Sequence, residues 1–273
     1  MSSETITNPL VRGIINSILQ NSCRCEGDYT GENGLLYCGK CHTPKQCYEF
    51  GEKLPCSCKC ENERQAAEKA EREKRQLEEF RAACITQPLH RAARFSADNG
   101  TTGRNAIEAA KWYADNFDKL FQANKGMIFT GSKGTGKTFA ACCIANALID
   151  RKRRVFVREV GFLLSDMWNT ANRHEVIEYI QKPDLLILDD FGTTYNSEFK
   201  VSQLYDIINT RYTSGKPLIV TTNLAPKELN NAPSTELGRV YDRVIEMCMC
   251  EKSPVCTSGA SVRLQLAAEK HKK

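Results

Sequence analysis

The stretch Gly131-Ser132-Lys133-Gly134-Thr135-Gly136-Lys137-Thr138 decides the fold. It has the spacing G-x-x-x-x-G-K-[ST] of a phosphate-cradling P-loop. Its glycines let the backbone wrap a polyphosphate without Cβ clashes. Successive N–H groups then face the anion, and the next helix begins with its positive end there. The cradle on this reading is Gly131, Ser132, Lys133, Gly134, Thr135, Gly136, Lys137, Thr138 and Phe139. Lys137 reaches the β- and γ-phosphates, and the Thr138 hydroxyl sits on Mg²⁺. A Gly-rich turn would share the composition, but the flanks argue for the P-loop. Gly126 to Thr130 is a strand-like apolar run, and Phe139 to Ile149 reads as a buried helix. Strand, loop, helix is the context the motif requires.

Outward from the loop, strand-like runs follow at 127–130, 155–158, 185–189 and 218–222, with helical runs at 106–120, 138–151, 160–170, 175–182 and 198–212. Alternating β and α with continuously apolar strands predicts an α/β fold, a parallel sheet covered on both faces. Leu185-Leu186-Ile187-Leu188-Asp189-Asp190 places two acids at the C-terminal end of a buried strand, where ligands bind in open α/β sheets. Asp189 is the candidate Mg²⁺ acid, and Asp190 the group that orients or deprotonates the attacking water. The next strand ends Thr221-Thr222-Asn223, whose polar tip can hydrogen-bond that water or the γ-phosphate; Asn223 and Thr222 are the candidates. Arg239 and Arg243 share a helix face, and Arg263 follows later. They are either surface arginines or cations aimed at the γ-phosphate: a finger from a neighbouring subunit for the first pair, a group within its own subunit for Arg263.

The chain has 273 residues, 41% of them hydrophobic, and a net charge of +5. That supports a real core and permits nucleic-acid binding without demanding it. No apolar run approaches the ~18 residues that span a bilayer, so no membrane role is expected. No secretory signal is read at the start, where 10–19 suits a short amphipathic helix, and a cytoplasmic location is expected. Of fourteen cysteines, eight lie between Cys23 and Cys60. Beside a P-loop, in a reducing compartment, they read as metal ligands before disulfides. Cys38-x-x-Cys41 and Cys56-x-Cys58-x-Cys60 suit tetrahedral thiolate coordination of Zn²⁺. The best set is Cys38, Cys41, Cys58 and Cys60, with Cys56, His42 and Cys47 as weaker candidates and Cys23 and Cys25 left over. The other six are small core hydrophobes first, although Cys248, Cys250 and Cys256 could form a second site. Residues 61–81 are strong helix formers of mixed charge with a thin apolar face, a solvated connector. The expected division is therefore 1–60, a Cys-rich zinc-binding module; 61–94, a charged connector helix and linker; and 95–273, an ATPase domain. The basic run Arg151-Lys152-Arg153-Arg154 reads as a solvated helix end. Phe156, Phe162, Trp168 and Tyr195 are available to stack nucleic-acid bases.

Between about Phe95 and Ala267 the chain resembles the bacterial and phage helicase loaders of the DnaC/DnaI type, AAA+ ATPases related to the IstB transposition ATPases. The resemblance rests on GSKGTGKT at 131–138, LLILDDFG at 185–192, TTN at 221–223, GRVYDR at 238–243 and SVR at 261–263. It implies a five-stranded AAA+ P-loop NTPase core that binds ATP and ADP. It also implies self-association through the ATPase domain, a hexameric replicative helicase as partner, and delivery of that helicase onto single-stranded DNA. By the same resemblance Asn223 is sensor 1, Arg243 the arginine finger with Arg239 as the alternative, and Arg263 sensor 2. Most AAA+ proteins place Glu after the Mg²⁺ acid; Asp190 is one methylene shorter and suggests slow hydrolysis, a switch rather than a motor. Some such loaders carry an amino-terminal zinc module that contacts the helicase, so a partner-binding role is expected here. An IstB-like transposition helper that binds DNA is the second reading.

Overall fold

The computed structural model describes residues 26–49, 51–98, 100, 103–168, 173–192 and 197–257. The segment 10–19, Cys23, Cys25, Tyr195 and Arg263 lie outside the described residues. The chain divides into two units, Met1–Gln76 and Leu77–Lys273.

The first unit holds two small antiparallel hairpins, β1 (Tyr29–Thr30) with β2 (Leu36–Tyr37) and β3 (Gln46–Glu49) with β4 (Glu52–Pro55). Neither could stand alone by its core, since two-stranded hairpins are marginal in water. Backbone and side chains together gather them: the Lys45 N–H donates to the Leu36 carbonyl at 2.7 Å, and Asp28 takes an ion pair from Lys45 at 2.6 Å and a hydrogen bond from the Gly39 N–H at 3.0 Å. Gly39 is required by a close approach, because a Cβ there would lie 2.2 Å from the Gly27 carbonyl oxygen.

Helix α1 (Lys59–Cys84) is longer than the expected connector. Its first turns are exposed, with Arg64 bridging Glu61 and Glu68. Its last turns are not solvated. Leu77 and Phe80 pack on the core of the second unit, and Arg81 and Cys84 are buried. The spacing 77, 80, 84 is the apolar stripe, confined to one end of the helix. Arg81 donates to Asn146 Oδ1 at 2.9 Å and to Asp150 Oδ1 at 2.6 Å.

Next come α2 (Pro88–Arg91), α3 (Arg104–Asp115) and α4 (Phe117–Gln122). A single helix was expected over 106–120. Asn116 divides it, with φ −98° and ψ 12° and its side-chain amide donating to the Trp112 carbonyl at 2.8 Å. This is the local competition that makes Asn a poor mid-helix residue.

From there β and α alternate: β5 (Met127–Gly131), α5 (Lys137–Asp150), β6 (Val155–Glu159), α6 (Val160–Trp168), α7 (Arg173–Gln181), β7 (Leu185–Phe191), α8 (Glu198–Thr213), β8 (Leu218–Thr222), α9 (Pro226–Asn230), α10 (Thr235–Cys248) and β9 (Val255–Thr257). Five strands form one sheet in the order β6-β7-β8-β5-β9, every neighbouring pair parallel. The last strand, only three residues long, was not located in the sequence. Strand alternation sorts the core. Met127, Phe129, Val155, Val157, Leu185, Ile187 and Ile219 face the layer of α3 and α5. Ile128, Leu186, Leu188, Leu218 and Val220 face α6, α8 and α10.

Two basic features resolve as structural. Arg151 donates to the Ala114 carbonyl at 2.7 Å, and Arg153 pairs with Asp118 at 2.6 Å above the Phe117 and Phe121 rings, so the run at 151–154 fastens the end of α5 to α3 and α4. Fully buried Arg211 donates to the carbonyls of Ile180, Pro183, Asp184 and Pro217, closing the turns that lead into β7 and β8.

Candidate nucleotide site and thiolate cluster

The loop between β5 and α5 lies at the C-terminal edge of the sheet, beside the ends of β7 and β8. Buried Lys137, in the first turn of α5, donates to the carbonyls of Gly131 (2.9 Å) and Ser132 (2.7 Å) and to Asn223 Oδ1 (3.0 Å). The lysine thus joins the P-loop to the tip of β8, the position expected of the polar sensor. Thr138, the next residue, donates to Asp189 Oδ1 at 2.8 Å. That hydroxyl and carboxylate are an oxygen pair suited to a hard cation such as Mg²⁺.

The arrangement depends on an irregularity in β7. The register between β7 and β8 shifts between Leu188 and Phe191, and Asp190 adopts φ 54°. Asp is among the few non-Gly residues that enter this left-handed region readily. The bulge lets consecutive acids serve different ends, as bulges beside active sites do. Asp189 turns to Thr138, while the Asp190 N–H donates to Thr221 Oγ1 at 3.1 Å.

Thr221 was not among the expected site residues, Asn223 and Thr222 at the strand tip being the candidates there. Its hydroxyl donates to Asp189 Oδ1 at 2.5 Å while accepting from Asp190. The available signal was parity, since 219 and 221 share the P-loop face of β8. Thr222 points elsewhere: it donates to the Phe191 carbonyl at 2.6 Å and caps Leu224 N–H. Glu159 was also missed. It pairs in register with Asp189, on the same face of the sheet. Loss of hydration, then the charges of Asp190 and Asp189, pushes its carboxyl above the usual range.

Arg243 lies on α10. Its guanidinium stands 4.6 Å from the Tyr205 ring centre and 5.5 Å from that of Tyr212, both on α8. Its Nη1 is buried without a hydrogen-bond partner among the described residues. Arg239, one turn earlier, is exposed.

In the first unit, Cys38, Cys41, Cys58 and Cys60 bring their sulfurs within 4.8 Å of one another. Cys60 Sγ lies 3.5 Å from Cys38 Sγ and 3.4 Å from Cys58 Sγ. Four thiolates around one tetrahedral Zn²⁺ would stand about 3.8 Å apart at ordinary Zn–S lengths, so the set fits such an ion. The electrostatics point the same way. The Thr43 hydroxyl, backbone N–H groups and Cys38 bring Cys41 down to about 5, whereas Cys60, facing the other three sulfurs, is pushed up to about 12. A cation removes that conflict. Cys47 and Cys56 stand outside the set, with thiols turned to the carbonyls of Leu54 and Pro44. Among the described residues no second cluster forms: Cys248 is buried and donates to the Leu218 carbonyl, while Cys256 is exposed on β9.

A P-loop, an acid pair at a strand end and a five-stranded parallel sheet with helices on both faces define a P-loop nucleotide-binding protein. The chain belongs to the family described as IstB-like ATP binding protein, whose sequence profile matches residues 64–269. It is 29% identical over 146 residues to the replicative helicase loader DnaC of Escherichia coli strain K12, covering 51% of this chain and 57% of that one. It is 36% identical over 112 residues to an ATP-binding protein in an insertion sequence of Mycobacterium tuberculosis, covering 40% of this chain and 44% of that one. The chain thus spans about half the length of these curated relatives. Among solved structures, a crystal structure of DnaI matches with a TM-score of 0.55 at 23% identity, over 66% of this chain and 98% of the other. No helix among the described residues is long and apolar enough to cross a membrane.

Proposed function

We propose that this protein loads a hexameric replicative DNA helicase onto single-stranded DNA at the start of replication. ATP binding and slow hydrolysis act as the switch. The observation that carries the reading is the pairing, in one chain, of an AAA+ nucleotide site with a compact four-cysteine cluster. Similarity to DnaC loaders supports the helicase as partner. Mg²⁺ would be held by Thr138 and Asp189, and Zn²⁺ by Cys38, Cys41, Cys58 and Cys60. The module of 1–60 grips the helicase, the segment 61–94 joins it to the ATPase domain of 95–273, and exposed Tyr29 and Tyr48 offer contact surface on the module.

Within the ATPase domain, Lys137 and the P-loop N–H groups bind the phosphates, and Asn223 positions the γ-phosphate or the water. Asp190 orients the water through a short side chain, hence slow turnover; a rate rivalling a translocase refutes that assignment. Arg243, or Arg239, reaches the site of a neighbouring subunit, and Arg263 that of its own. For single-stranded DNA, Trp168 and Phe199 support the reading: both are more than half exposed, edge to face at 4.8 Å, and open to base stacking.

The second reading, an IstB-like transposition helper, has support from the family description and the insertion-sequence relative. The cysteine cluster favours the loader. Size-exclusion chromatography of the protein with the host replicative helicase, in ATP and in ADP, tests it. A nucleotide-dependent complex lost in Lys137→Ala is expected; no complex in either nucleotide refutes the loader reading.

A further inference from the structure

Strand β9 does more than finish the sheet. Gly131, first residue of the P-loop, pairs in register with Thr257. The contact is so close that a Cβ on Gly131 would lie 2.2 Å from the Thr257 carbonyl oxygen and 2.3 Å from its hydroxyl. The Thr257 hydroxyl reaches into the loop itself, 2.6 Å from Thr135 Oγ1. Both side chains are buried, Thr135 at 3% and Thr257 at 4% exposure. Each hydroxyl also has a carbonyl within reach: Ser132 O at 2.9 Å from Thr135 Oγ1, and Thr130 O at 3.0 Å from Thr257 Oγ1.

Counting protons constrains this trio. Three contacts compete for two hydroxyl hydrogens. Two oxygens 2.6 Å apart need a proton between them, so only two arrangements remain. In one, Thr135 donates to Thr257 and Thr257 donates to the Thr130 carbonyl. In the other, Thr257 donates to Thr135 and Thr135 donates to the Ser132 carbonyl. The first frees the Ser132 carbonyl from Thr135; the second tightens the turn 132–135. The Ser132 carbonyl is also an acceptor for Lys137 at 2.7 Å. The direction of one buried hydrogen bond therefore bears on the group that must leave its carbonyls to meet phosphate.

We propose that Thr257 is a positioning residue for the P-loop: its hydroxyl fixes the orientation of Thr135 and so sets how readily the loop accepts nucleotide. This rests on the reading of 131–138 as the nucleotide site. Thr257 also lies six residues before Arg263 in the sequence, so the latch ties the cradle to the strand that leads into the expected second sensor.

The test measures ATP and ADP affinity by calorimetry for the wild-type chain, Lys137→Ala, Thr257→Val and Thr257→Ser. Wild-type binding lost in Lys137→Ala secures the site; no wild-type binding refutes the nucleotide reading itself. Given binding, Thr257→Val, nearly isosteric and suited to a strand, is expected to weaken both nucleotides about 5- to 10-fold, the usual scale of one buried hydrogen bond. Thr257→Ser, which keeps the hydroxyl, should restore affinity to within about twofold, an outcome that a purely packing role would not give. Thr135→Val combined with Thr257→Val should cost no more than the worse single change. Equal affinity in Thr257→Val and wild type, or strict additivity in the cycle, overturns the proposal. Hydrogen exchange on the unsubstituted chain gives a second reading. Nucleotide should protect amides of β9 along with those of the P-loop, and protection confined to the loop overturns the latch.

Discussion

Thr221 offers the sharpest test of the acid pair. Its single hydroxyl serves both acids, donating to Asp189 Oδ1 at 2.5 Å and accepting the Asp190 N–H at 3.1 Å. Thr221→Val keeps the shape of the side chain and the β propensity of a fully buried position. It removes one charge-assisted hydrogen bond, about 1.5–3 kcal/mol, and one neutral bond of about 0.5–1.5 kcal/mol. The total is about 2–4 kcal/mol, shared between folding and function. If roughly half falls on the metal–nucleotide complex and the hydrolytic step, ATP turnover drops about 5- to 30-fold, since each 1.4 kcal/mol is a decade. The assay is steady-state ATPase with a Mg²⁺ titration, beside calorimetric nucleotide binding without the metal. The metal requirement should rise and metal-free binding should hold within about threefold, because the phosphate cradle of Lys137 and loop N–H groups is untouched. Turnover within about threefold of wild type in a folded protein refutes the reasoning. So does a loss of binding that is equal with and without Mg²⁺, since Thr221 would then support the cradle and not the acids.

Other perturbations reach other parts of the molecule. Cys60→Ser should lower bound zinc by one equivalent in elemental analysis and raise protease sensitivity within residues 26–60, because thiolate sites of this kind contribute folding energy outright; unchanged zinc refutes the ligand set. Arg81→Met leaves Asn146 Oδ1 short of a buried donor and Asp150 without its partner, a loss of about 2–3 kcal/mol. Thermal unfolding should then come about 5–10 °C earlier, and a shift under about 1 °C refutes it. Arg211→Lys should fail to substitute for arginine: one ammonium cannot fork to four carbonyls, and loss of soluble, cooperatively unfolding protein is the expected outcome.

How much was legible before the fold follows from the range of the interactions. Strand β7 begins with four aliphatics and two acids, a pattern complete within six consecutive residues, and it could be read as a buried strand carrying chemistry at its end. That the cysteines at 38, 41, 58 and 60 come together was legible for a similar reason, since their C-x-x-C and C-x-C spacings are local. Strand β9 was not. Three residues carry no periodicity, and Val255–Thr257 pairs with β5 across more than a hundred residues of chain. Thr221 and Glu159 were missed because they hold nothing unusual in sequence; only the parallel register brings them beside Asp189. The solvated reading of α1 failed at Arg81 for the same reason. An arginine in a charged helix looks exposed until the opposite side of the contact, Asn146 and Asp150, is known.

That contact also decides what α5 can do. Asn146 is fully buried in the middle of the helix. Its amide nitrogen lies 2.9 Å from the His90 carbonyl, 2.8 Å from that of Ala93 and 2.9 Å from that of Cys142, while its oxygen accepts from Arg81. Farther along, Arg151 holds the Ala114 carbonyl. A buried amide that serves both the end of α1 and the turn after α2 is costly to leave unpaired. Helix α5 therefore has no cheap way to slide alone when its N-terminal end takes up phosphate. A displacement of α5 large enough to matter carries residues 81–93 with it. Of those residues, Arg81 lies in the last turn of α1 and His90 in α2, each held to Asn146.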